Sequence, residues 1–197
     1  MKVQVFSSYL MSLTSSLDQL TLDLAPEQQQ ALQAGEVVML GSEGTYTVLS
    51  LVPAPASVVW DVLTNYERFP DFLPSVKASR VLERRDNCVL VERKDSRKVG
   101  ILPIRVKIVT ENIEYPQERI EYRMVDGTLD EMNGTWELSP VSGPNQADAT
   151  LLVQKIEAKA SMGPLQPYFF EVFESGLTEM TANLRNEMAQ QQTALQA

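Results

Sequence analysis

A chain of 197 residues with 26 acidic side chains against 17 basic ones, a net charge of −9 and no histidine is excluded from several functional classes at once. The acid excess argues against nucleic-acid binding, which displaces counterions with a basic surface. The missing histidine removes His-based proton transfer, Ser-His-Asp and Cys-His nucleophiles and most zinc sites, so neither a metal nor a cofactor is expected.

Residues 1–24 are rich in Ser, Thr and Leu, with Leu10, Leu13, Leu17, Leu20 and Leu24 at three- and four-residue steps. This weak helical stripe suits a segment packed on the domain or ordered by a partner. No apolar run is long enough for a membrane span and no cleavage site follows the N-terminus, so an uncleaved, cytoplasmic chain is expected. A transient membrane-surface contact is kept open, although Lys2 is the one basic residue of that segment. Pro26 to Ala34 reads as a short helix stopped by Gly35. Strands follow at Val37 to Leu40 and Tyr46 to Val52, around a Gly41–Gly44 turn.

Ser57 is the expected N-cap of a helix through Val58, Val59, Trp60, Val62 and Leu63. Asn65 breaks that helix, and Tyr66 to Phe69 opens a second short one ending near Pro74. Strands are then expected at Val76 to Arg84, Cys88 to Arg93, Ile101 to Asn112, Ile120 to Met124, around Thr135 to Leu138, and Ala149 to Ala160. Asp95 to Val99 is polar enough to read as a loop, Asp126-Gly127 as a turn, and Gly134 as a bulge or close approach. Cys88, the single cysteine, allows no internal disulfide and reads as buried filler. The basic stretch Arg80, Arg84, Arg85, Arg93, Lys94, Arg97 and Lys98 reads as solvated strand edges.

Pro164 to Met188 is the longest helical pattern. Leu165, Phe169, Val172, Phe173, Leu177, Met180, Leu184 and Met188 share one face. So broad an apolar stripe needs a partner, and the strand-rich middle of the chain is the candidate. The fold class is therefore α+β. A curved antiparallel sheet wraps a long C-terminal helix, with two short helices after the first long strand. The expected division is an N-terminal extension over residues 1–43, a domain over 44–191 and a tail over 192–197.

That order of elements is the helix-grip arrangement. The segment Val52-Pro53-Ala54-Pro55 leading to Val58-Val59-Trp60-Asp61-Val62-Leu63-Thr64-Asn65-Tyr66 resembles a START-like (Bet v1-like, SRPBCC) signature. Phe69-Pro70-Asp71-Phe72-Leu73-Pro74 continues it, and Gly134-Thr135-Trp136-Glu137-Leu138 is similar to that superfamily's Gly-x-Trp strand. The likeness is to the polyketide cyclase and coenzyme-Q-binding branch, over about Tyr46 to Met188. It implies a cavity between sheet and last helix that holds an apolar molecule such as a lipid, quinone or polyketide.

Hydrophobic-ligand carriage follows from the apolar helix stripe facing apolar strand faces. The candidate contacts are Trp60, Phe69, Phe72, Ile104, Val106, Ile108, Tyr122, Met124, Trp136, Phe169, Phe173, Leu177 and Met180, with no catalytic residue assigned. The alternative is an aromatase/cyclase-type enzyme, for which Tyr122, Arg123, Glu131, Arg93 and Glu92 are the available proton-handling or enolate-holding groups. Ribosome association, known in some relatives of the branch, is the third reading.

Overall fold

The computed structural model describes residues 17–99, 102–142, 148–161, 163 and 166–196, the side chains at 98, 99, 102–104 and 167 excepted. Two short helices, α1 (Leu17–Leu20) and α2 (Pro26–Gln33), precede strands β1 (Val38–Ser42) and β2 (Thr45–Val52). Helix α3 (Ala56–Thr64), a 3-10 turn (Tyr66–Arg68) and α4 (Phe69–Phe72) follow. Then come β3 (Val76–Arg85), β4 (Cys88–Val99), β5 (Leu102–Tyr115), β6 (Arg119–Gly127), β7 (Glu131–Ser142), β8 (Asp148–Lys159) and α5 (Gln166–Gln196).

The eight strands form one antiparallel sheet in the order β1-β2-β8-β7-β6-β5-β4-β3. Hairpins join β3 through β8 in succession, and the return of β8 to β2 makes the sheet a wrap rather than a simple meander. Register shifts in β3 (Val76/Ala78 and Val81/Glu83) and in β5 (Val109/Thr110) increase local bend and twist. The concave face receives α5, whose Leu177, Thr181, Leu184 and Met188 are buried at helical spacing. This is the expected helix-grip α+β architecture.

Two apolar clusters fill the concave side. One joins α3, the 3-10 turn and α4 to Val89, Val91, Ile120, Leu184 and Met188. The other gathers Tyr46, Val48, Ile108, Tyr122, Met132, Ile156 and Leu177. Trp136 and Met180 touch both. A third cluster lies on the convex side, where Leu24 and Leu32 pack on Val38, Leu49, Leu51, Val141, Ala149 and Leu151. The helices α1 and α2 thus cover the back of β1, β2, β8 and β7. Gly35, at φ +83°, ends α2 in the left-handed region that favours glycine. The Arg185 side chain passes so close that a Cβ on Gly35 would fall 2.4 Å from its Nη2. Leu10 and Leu13 of the expected N-terminal stripe lie outside the described residues; Leu17 is partly buried and Leu20 is exposed.

Several local expectations need correction. The N-cap of α3 is Pro55, not Ser57: its φ of −67° already presets the helical entry, and no side chain caps the turn. Residues Asp95 to Val99 continue β4 in full register with β5. Asp126 and Gly127 are still paired, opposite Val109 and Ile108, so the reversal comes after them. Cys88 is only partly buried, beside Glu83, Arg85, Leu90 and Glu111 on the outer side of β3–β5. Helix α5 runs to Gln196, so residues 192–196 extend it instead of forming a tail.

Candidate functional site

Between α5 and the concave sheet lies a cavity of about 620 Å³, within the range of small-molecule sites. It lies between the two concave clusters, which Trp136 and Met180 bridge along its wall. Leu63, Tyr66, Phe69, Leu73 and Leu184 close one end, from the helical cluster. Val106, Leu129, Met132, Phe169 and Phe173 line the other. Strand alternation sends Val91, Arg93, Asp95 and Arg97 inward from β4, and Ile108, Thr110 and Asn112 inward from β5.

Of the sequence-expected contacts, Phe69, Val106, Ile108, Tyr122, Trp136, Phe169, Phe173, Leu177 and Met180 line this space. Trp60 and Phe72 instead pack against the helical cluster, Phe72 edge-on to Phe69 at 5.9 Å. Met124 packs beside the second cluster, near Gly127, without reaching the cavity wall. The Ile104 side chain lies outside the described set. Of the proton-handling candidates, Tyr122 and Arg93 line the cavity. Glu92 faces the other side of β4, where Arg80 and Lys107 hold its carboxylate. Arg123 and Glu131 are paired at the surface with Glu111 and Lys159.

Part of the polar wall, Gln154, Asp95 and Arg97, escaped sequence reasoning. Gln154 of β8 is 2% exposed and donates from Nε2 to the Tyr122 hydroxyl at 2.9 Å. Its Oε1 has no hydrogen-bond partner among the described residues. Leaving a buried acceptor unmade costs about 1–3 kcal/mol, which marks this spot as unusual. Burial is the main cause that raises the Tyr122 hydroxyl above the ordinary tyrosine range, against smaller lowering effects of the Gln154 contact and the Arg93 charge. Tyr122 therefore keeps its proton throughout the physiological range. Beside it, Arg93 binds Asp95 at 2.9 Å, and the other Asp95 oxygen, Oδ1, is buried without a partner among the described residues.

Gly134 makes the Tyr122–Gln154 contact geometrically available. It sits on β7, directly between Tyr122 on β6 and Ile156 on β8. A Cβ there would fall 2.6 Å from the Tyr122 oxygen and 2.2 Å from the Lys155 carbonyl oxygen. The close approach expected at this glycine is thus the tyrosine ring lying across β7. Gly134→Ala is expected to lower stability by about 1–3 kcal/mol in urea denaturation, as overpacked sites do. A change under about half a kilocalorie would mean that ring and strand move apart freely.

Across the rim, Arg97 donates to the Gly176 carbonyl at 3.2 Å and pairs with Glu179 at 2.9 Å. The guanidinium rests on the bare Gly176 backbone, 3.1 Å from where a Cβ would stand. Arg97 thereby joins β4 to α5. On the far side Tyr46 joins β2 to the same helix by donating to Glu174 at 2.8 Å.

Residues 52–185 match the model of a family described as polyketide cyclase/dehydrase and lipid transport. The chain belongs to this family. Among curated relatives, the ribosome association toxin RatA of Pseudomonas aeruginosa is 31% identical over 120 residues, which span 59% of this chain and 80% of RatA. Solved structures of the same fold include a Thermus thermophilus protein, with a TM-score of 0.62 at 16% identity, covering 77% of this chain and 98% of that one. Another is the ZhuI aromatase/cyclase of Streptomyces sp. R1128, with a TM-score of 0.58 at 16% identity, covering 80% and 94%. For this member of the polyketide cyclase/dehydrase and lipid transport family, the match begins at the end of β2. It leaves out α1 and α2, which back the sheet, and the edge strand β1.

Proposed function

We propose that the protein binds and carries a hydrophobic small molecule, of lipid, quinone or polyketide type, in the cavity between sheet and α5. The observation that carries this reading is an internal space of about 620 Å³ walled mainly by aliphatic and aromatic side chains. The family's description, which includes lipid transport, supports it. No helix among the described residues is long and apolar enough to cross a membrane.

Nile red, an apolar fluorophore, is expected to saturate at one molecule per chain. Binding should be lost in Met180→Arg, which places a charge on the cavity wall, while the far-UV circular dichroism stays unchanged. Equal binding by both proteins would place the probe elsewhere and end the carrier reading. Native mass spectrometry of protein from its own source would then identify the cargo.

Cyclisation is the second reading, favoured by Arg93, Asp95 and Tyr122 in one wall. A bound polyketide that loses the mass of water on incubation would favour it over carriage. Kinship with RatA raises ribosome association as a third. Against that reading, Arg80, Arg84, Lys94 and Arg97 each contact a carboxylate, which leaves less of the basic stretch to meet a phosphate backbone.

A further inference from the structure

We propose that the cavity selects a ligand bearing a hydroxyl group (an alcohol, phenol or enol) and seats it on the Tyr122–Gln154 pair. The inference rests on the cavity-binding reading above and adds the chemistry of the ligand's polar end.

The pair is built for a purpose that packing alone does not require. Phenylalanine at 122 would fill nearly the same volume without a buried hydroxyl, and glycine in the interior of a strand weakens it. Here the Gly134 gap admits the Tyr122 ring, and the ring spans β7 to reach Gln154. Three neighbouring strands thus cooperate to hold two polar groups in a mostly apolar wall. Both residues line the cavity, both are more than nine-tenths buried, and Gln154 Oε1 has no partner among the described residues.

The hydrogen-bonding count points to the ligand's functional group. The Tyr122 oxygen accepts from Gln154 Nε2, so its own proton is free to donate, and Gln154 Oε1 is free to accept. Turning the amide over exchanges the roles: Tyr122 then donates to Oε1, leaving the amide N–H donors and a phenol lone pair. Either way the pair presents at least one donor and one acceptor. A hydroxyl answers both. A ketone or methyl ether answers the donor alone, and a hydrocarbon answers neither.

The test is competition against Nile red on the full-length protein with 4-nonylphenol, 4-nonylanisole and nonylbenzene. The last two bracket the phenol in size and lack its donor. The phenol is expected to bind about tenfold tighter than either, the scale of one well-made buried hydrogen bond. Gln154→Leu and Tyr122→Phe should each shrink that preference to about twofold or less while nonylbenzene still binds. Three equal affinities in the wild-type protein, or a preference that survives both substitutions, would overturn the hydroxyl assignment and leave cavity binding standing. If none of the three displaces Nile red, the cavity reading itself fails and takes this inference with it.

Discussion

Leu184→Ala is expected to destabilise the fold by about 3 kcal/mol and to lengthen the cavity at its closed end. Leu184 is 2% exposed and belongs to the helical cluster while also lining the cavity. Removing it deletes contacts to α3 and the sheet and leaves space that the surrounding elements only partly refill. Buried Leu→Ala changes cost about 2–5 kcal/mol for this reason. Refilling is harder here than in a solid core, because one neighbour of the new space is already empty. The measurement is urea denaturation with the slope unchanged, so that the midpoint alone reports stability. The same variant should bind a longer alkylphenol better relative to a short one than the wild type does. A loss below about 1 kcal/mol would show that the closed end collapses onto itself, contrary to the rigid packing inferred for it.

Glu114→Ala is expected to cost about as much, for an electrostatic reason. Glu114 is buried at 8% exposure on β5 and holds two partners at once. The Tyr66 hydroxyl donates to its Oε1 at 2.9 Å and Arg84 donates to its Oε2 at 3.0 Å. Burial first, and then the Glu114 charge, drive the Tyr66 hydroxyl well above the usual tyrosine range. With the carboxylate gone, Tyr66 keeps a proton and a lone pair but has lost its acceptor. Arg84 is half exposed and can turn to water. Most of the expected loss of about 2–4 kcal/mol therefore sits on Tyr66. The double variant Glu114→Ala/Tyr66→Phe should recover a substantial part, since both ends of the contact are then apolar. Strict additivity of the two single changes would disprove the coupling.

The architecture was legible because its signals are periodic. The α5 stripe repeats at helical spacing from Phe169 to Met188, and the β5 and β6 stretches alternate, so both survive local noise. Of the polar wall only Tyr122 and Arg93 were legible, and β4 shows why. From Asp95 to Val99 both faces carry polar residues, so the period of two vanishes and the segment reads as a loop. In the fold, Arg93, Asp95 and Arg97 face inward because a cavity, not a dry core, lies before them, and because Gly176 and Glu179 of α5 receive Arg97. Gln154 was missed for a related reason. Between Val153 and Lys155 it looks like any polar strand residue, and nothing local reveals that Tyr122 will reach it across a glycine. Trp60 and Phe72, taken as contacts for their apolar bulk, pack against the helical cluster instead. The Cys88 reading failed on parity, since Val89 and Val91 point inward and its own side chain must point out.

The two halves of the sheet are supported unequally. Behind β1, β2, β8 and β7 stand α1 and α2, so that half is a three-layer laminate of helices, strands and α5. Among the described residues, β4, β5 and β6 have no such backing; their outer sides carry ion pairs such as Lys107–Asp126 and Arg123–Glu111. Flexing a single sheet disturbs fewer buried contacts than flexing a laminate. One half of the sheet is thus a single layer and the other is layered on both faces, and Arg97 ties the single-layer half to α5 through Gly176 and Glu179.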